Sequence, residues 1–170
     1  MKKRNVFILA AACTLCWLKV YAQGGDMQIT SPEFAHNESI PGLFTCQGDD
    51  VNPALEISGV PEDARTLVLI MDDPDAPGVT WDHWIVWNIP AGTVGIEQDS
   101  VPGEQGRNSW GRRDYGGPCP PSGTHRYFFK LYALDTELSL SAGASKQELE
   151  QAMQGHILAQ AELIGLYKKE

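Results

Sequence analysis

Three stretches of the chain carry side chains whose types and spacing could do chemistry. In Met71-Asp72-Asp73-Pro74-Asp75-Ala76-Pro77-Gly78, three carboxylates follow an apolar run, and two prolines fix the backbone around them. Thr80-Trp81-Asp82-His83-Trp84 sets one histidine among indoles, just before a second apolar run. Tyr115-Gly116-Gly117-Pro118-Cys119-Pro120-Pro121-Ser122-Gly123-Thr124-His125-Arg126-Tyr127 combines glycines that expose backbone amides with prolines that stiffen the loop. Its His125 and Tyr127 lie two apart and therefore on one face of a strand. A loop of this kind can hold an anion.

Each stretch also has a plainer reading. The acids could be a solvated turn capping a strand, and a histidine beside aromatic rings is commonly a hydrogen-bonded packing residue. A calcium loop fails on its own geometry: with Asp73 first and Asp75 third, Gly78 falls correctly at position six, but Pro77 stands at position five and Trp84 at position twelve. Two histidines and two aspartates could be read as the metal centre of a hydrolase, but the chain has no H-x-x-x-H or H-E-x-x-H helix and no G-x-S-x-G elbow. The expectation is therefore no enzyme, no cofactor and no metal; a metal-dependent hydrolase, or an interaction protein with a vestigial pocket, stands as the alternative.

Taken together, Asp73-Pro74-Asp75-Ala76-Pro77, His83-Trp84, and Gly117-Pro118-Cys119-Pro120-Pro121 leading to His125-Arg126-Tyr127 resemble the phosphatidylethanolamine-binding protein family, which includes the Raf kinase inhibitor proteins. The likeness is to the compact bacterial and archaeal subgroup and runs from about Ile29 to Tyr167. It implies two packed, mostly antiparallel β-sheets with short edge helices and a small anion pocket at one end. Carried over motif by motif, the pocket should use Asp73, Asp75, Trp81, His83, Cys119, Pro120, His125 and Tyr127. Cys119 stands where animal members have glycine, and one histidine rather than two precedes the strand.

For the acids not to face an anion directly, Asp73 should orient a histidine and Asp75 should hold the proline loop, leaving His83 Nε–H, Tyr127 O–H and an amide near Cys119 as donors. None is a permanent cation, so free phosphate should bind weakly and better as the histidines protonate below about pH 6.5. The function expected is that of an exported, non-enzymatic protein binding phosphate, carboxylate or a phospholipid headgroup. The resemblance adds a kinase or protease as protein partner, and exposed sheet edges would suit a homodimer.

The elements that must position these residues are short. Apolar or alternating runs recur between turn clusters at 27–30, 43–46, 54–58, 66–71, 84–89 and 126–134, the rhythm of a sheet sandwich. The run 67–71 is continuously apolar, as for a central strand covered on both faces. Ser145-Lys146-Gln147-Glu148 is a capping box opening a short helix that Gly155 ends, and the alternation from Ile157 to Tyr167 favours a last strand over a continued helix.

At the N-terminus, Lys2, Lys3 and Arg4 precede an apolar run that Lys19 ends, and Val20-Tyr21-Ala22 offers a small residue at the cut: residues 1–22 read as a secretory signal and 23–170 as one domain. Without the signal's four basic residues the chain keeps nine basic against 22 acidic groups, a formal charge of −13 that argues against nucleic acid and anionic membranes. A periplasmic or secreted location follows, and its oxidising setting favours pairing of the two remaining cysteines, Cys46 and Cys119. Spacing alone does not place their α-carbons within the ~7 Å a bridge needs.

Overall fold

The computed structural model describes residues 26–170. The expected secretory signal over residues 1–22 lies outside them. The chain folds as two β-sheets. One has three strands in the order β1 (Gln28–Thr30), β3 (Leu55–Ser58), β6 (Gly95–Ile96). The other has six, in the order β2 (Glu38–Ser39), β9 (Ile157–Lys168), β8 (Thr124–Leu134), β4 (Thr66–Asp73), β5 (Trp81–Pro90), β7 (Glu104–Gln105). All pairings are antiparallel except β2 with β9, so the expected sandwich is the one observed.

Strand β4 shows why the large sheet is central. Its odd residues Leu67, Leu69 and Met71 enter the core between the sheets with Ile29, Leu55, Ile57, Val86 and Phe129. Its even residues Val68 and Ile70 enter a second core on the opposite face with Ile85, Trp87, Leu134, Leu149 and Met153. Every residue of β4 is buried, which is what a continuously apolar strand requires. Helix α1 (Lys146–Met153) covers the second core, and the Ser145–Glu148 capping box forms at its start. Gly155, at φ 81°, turns the chain out of the helix and into β9.

One expected strand is absent. Residues 43–46 form part of a 3-10 turn (Gly42–Phe44) and the loop after it. The Phe44, Thr45, Asp49 and Asp50 amides donate to carbonyls of Pro41, Gly42 and Leu43, the local bonds of a turn rather than the rungs of a ladder. The turn carries Cys46 to the bottom of the loop over residues 115–121, and Cys46 is bridged to Cys119 with α-carbons 5.5 Å apart.

Candidate functional site

The ends of β4 and β5, with the loops that carry Cys46 and Asp50, Ala76 and Pro77, Trp110 and Arg112, and Gly116 to Pro121, enclose a cleft of about 360 Å³. Strand alternation decides which acid reaches it. Asp73 shares the inter-sheet face of β4 with Leu69 and Met71, whereas Asp72 points to the other face. Asp73 Oδ2 accepts from His125 Nδ1 at 2.7 Å, and its Oδ1 accepts from the Asp75 amide at 2.8 Å. The expected pairing of Asp73 with a histidine is thus present. Asp73 lines the cleft, and His125 lies behind it, off the cleft wall.

His83 reaches the cleft through a β-bulge. Strand β4 pairs Asp72 with Asp82 and then Met71 with Trp84, which makes His83 the extra residue of β5. His83 therefore turns inward beside Trp84 rather than away from it. Its Nδ1 lies 2.6 Å from the Gly116 carbonyl. A carbonyl can only accept, so Nδ1 carries the hydrogen and the neutral ring presents an Nε2 lone pair. This corrects the expected Nε–H donor: Nε2 donates only from the imidazolium, and burial lowers the His83 pKa, outweighing the Gly116 carbonyl and the charges of Asp73, Asp72 and Asp82 that raise it.

The loop over residues 115–121 forms the opposite wall with Cys119, Pro120 and Pro121. Besides the disulfide and the two bonds between Gly116 and His83, three hydrogen bonds tie it to residues 44–50: Gly117 N donates to Asp50 Oδ1 at 2.6 Å, Tyr115 Oη to the Phe44 carbonyl at 2.8 Å, and Cys46 N to the Pro118 carbonyl at 3.2 Å. A Cβ at Gly117 would strike the Phe44 carbonyl and the Asp50 carboxylate, and one at Gly116 would strike the Trp110 ring, so the close packing here needs both glycines.

Contrary to the expectation that it holds the proline loop, Asp75 binds Arg126. It accepts from the Arg126 amide at 3.0 Å, from Nε at 2.9 Å and from Nη2 at 2.7 Å, pinning the start of β8. The Arg126 side chain above all, with its amide and charge, lowers the Asp75 carboxyl to about 2 against the opposing effect of burial. A folded value below the ordinary 3.8 means that this contribution is present above pH ~4 and fades as the pH falls toward 2. Because the pair is partly solvated, Asp75→Asn is expected to lose less than about 1 kcal/mol at pH 7. The difference from the parent should vanish near pH 2 in urea titrations; an undiminished difference there would remove the ion pair as its source.

Tyr127 is fully buried behind His83, with ring centroids 5.2 Å apart and nearly perpendicular. Burial, and next the charge of Asp73, raise its pKa, so it stays protonated; the Cys119 amide nearby acts the other way without reaching hydrogen-bond geometry. Its hydroxyl and Trp81 Nε1 are enclosed and have no partner among the described residues. Of the eight residues expected at the site, Asp73, Trp81, His83, Cys119 and Pro120 line the cleft; Asp75, His125 and Tyr127 stand behind or beside it.

Sequence reasoning missed Asp50, Trp110 and Arg112, which also line the cleft. The turn Asn108-Ser109-Trp110-Gly111-Arg112 is built on buried Asn108, whose Oδ1 accepts from the Trp110 and Arg112 amides at 3.1 and 3.0 Å. Asn and Gly three apart signal such a turn. Nothing local says that it folds over His83, where Trp110 packs edge-on with ring centroids 5.0 Å apart. Arg112 lies 5.6 Å from the Trp110 ring centre and 3.2 Å from Asp114. It supplies the permanent cation that the expected residue set lacked.

Three comparisons bear on this geometry. Residues 30–168 match a family model described as phosphatidylethanolamine-binding protein. A UPF0098 protein of Methanothermobacter thermautotrophicus is 48% identical over 151 residues, covering 84% of this chain and 99% of its own. One from Aquifex aeolicus is 48% identical over 162 residues, covering 89% and 95%. Among solved structures, a phosphatidylethanolamine-binding protein homolog of Chlamydia trachomatis, CT736, superposes with a TM-score of 0.83 at 42% identity, covering 85% of this chain and 99% of that one. YbcL of E. coli gives 0.79 at 33% identity, covering 86% and 100%.

Proposed function

From its membership of the phosphatidylethanolamine-binding protein family, we propose that this chain is an exported, non-enzymatic binding protein whose cleft takes the phosphate of a small molecule or headgroup. The observation that carries the reading is the meeting of Arg112 with His83 in a cleft walled by Trp81, Trp110, Pro120 and Pro121. A guanidinium on an aromatic face, at the rim of a largely apolar recess, is suited to a planar or tetrahedral oxyanion. Cys46 and Cys119, the two cysteines on the wall, are held in a disulfide, which favours binding over thiol-based acyl transfer. A metal shared by the two histidines would need both in the cleft, and His125 is not among the residues that line it.

The basic and apolar segments of residues 1–22 support export, and the accessible Cys46–Cys119 bridge is of the kind that persists in an oxidising compartment. Exposed Trp110 beside the cleft, with exposed Val79 on the loop after Pro77, would let a bound phosphate form part of a larger protein-facing surface.

Calorimetry with inorganic phosphate at pH 7.5 and low salt tests the reading. Saturable binding is expected, and Arg112→Gln should weaken it by about 1 to 1.5 kcal/mol, five- to tenfold, since the guanidinium is half exposed and partly screened. Absence of saturation in the parent protein would overturn the proposal; unchanged affinity in the variant would remove Arg112 from it.

A further inference from the structure

The polar groups that reach the cleft are unusually rich in acceptors. The hydrogen on His83 Nδ1 is committed to the Gly116 carbonyl at 2.6 Å, so Nε2 offers a lone pair. Nε2 has no hydrogen-bond partner among the described residues and, unlike Trp81 Nε1 beside it, is not fully enclosed. The carboxylates of Asp50 and Asp73 line the same cleft. Against these stand the Arg112 guanidinium at the rim and the indole N–H groups of Trp81, which is enclosed, and Trp110. An oxyanion without hydrogen, such as sulfate, can satisfy the guanidinium but meets lone pairs at Nε2 and the carboxylates, a mismatch that costs about as much as an unmade buried hydrogen bond.

Resting on the reading of the cleft as a phosphate site, we propose that His83 in this tautomer selects oxyanions that carry their own proton donor and rejects those that do not. The ligand then accepts from Arg112 and donates to Nε2. Inorganic phosphate meets both demands, because near neutrality it keeps a P–OH. A phosphodiester with an ammonium group meets them through the ammonium, and a plain diester does not meet them.

Asp73 from β4, Asp50 and Arg112 from the loops and Tyr127 from β8 surround His83, while Asp72 and Asp82, turned to the opposite face, act on it through their charge. Asp73, Asp72 and Asp82 favour the imidazolium, but burial outweighs them, so the neutral ring is the form present at pH 7.5.

The test is a competition series at pH 7.5 and constant ionic strength with four probes: inorganic phosphate, sulfate, dimethyl phosphate and glycerophosphoethanolamine. Phosphate is expected to bind at least about tenfold more tightly than sulfate and dimethyl phosphate. Glycerophosphoethanolamine binding above dimethyl phosphate would mark an ammonium headgroup as an accepted donor, whereas equality of those two would confine the donor to P–OH. Sulfate or dimethyl phosphate binding as tightly as phosphate would overturn the selectivity while leaving the phosphate site standing. Failure of all four to bind would instead sink the site itself. Long-range proton–nitrogen spectra provide a readout independent of ligand: Nε2 of His83 should appear as the unprotonated ring nitrogen, and a proton found there would also overturn the inference. His83→Gln, whose amide can turn an N–H toward the cleft, should bring sulfate to within about threefold of phosphate.

Discussion

Replacing Asp72 with alanine is expected to cost about 3 to 5 kcal/mol of stability at neutral pH. The carboxylate has no exposed surface, and its Oδ2 accepts from Lys130 Nζ at 2.8 Å and Lys146 Nζ at 2.6 Å. Lys146 also reaches Asp82 at 2.9 Å. Burial would pull the Lys146 ammonium down, but Asp72 and Asp82 together raise it above its ordinary value. Without Asp72, an ammonium that is mostly enclosed keeps one carboxylate, and Lys130 loses its only salt bridge among the described residues. Because Lys146 is the first residue of α1, the same change loosens the helix from the ends of β4 and β5, where the cleft begins. Urea unfolding measures the loss; a difference below about 1 kcal/mol would show that the cluster is solvated rather than a buried clamp. Asp72→Asn, which keeps the shape and an acceptor, should lose less.

Removing the disulfide is the second large effect. Cys46→Ser with Cys119→Ser opens a closure between residues 73 apart in sequence, and the expected loss is about 2 to 5 kcal/mol, chiefly through the greater freedom of the unfolded chain. The cleft wall should nevertheless survive in the folded variant, because Asp50, the Phe44 carbonyl and the Cys46 amide still tie the two loops together. Phosphate affinity should therefore fall much less than stability. Equal denaturation midpoints for parent and variant would argue that the bridge constrains little, and two titratable thiols in unreduced, denatured protein would show that it does not form.

Much of the frame was readable locally. Strand β4 is a run of apolar residues in a sequence of short, alternating segments, and only a strand covered on both faces tolerates that pattern. Ser145 and Glu148 announce the start of α1 because their reciprocal bonds span one turn of a helix. Residues 43–46 read as a strand for the opposite reason: their apolar members look extended, and the backbone bonds of the turn, which run to Pro41 and Gly42, leave no trace in residue type.

What the sequence by itself determined is six of the nine strands (β1, β3, β4, β5, β8 and β9), the helix, the family resemblance and most of the site's chemical inventory, since these follow from patterns that repeat within a few residues. Tertiary structure decided how that inventory is used. A bulge against β4 turned His83 inward, and a carbonyl 33 residues away chose which of its nitrogens carries the hydrogen. Arg126, 51 residues on, took Asp75 away from the proline loop, and a turn on Asn108 brought Trp110 and Arg112 to the cleft. Protonation, tautomer and access depend on what surrounds a group in three dimensions, and side-chain period and spacing record only what precedes and follows it along the chain.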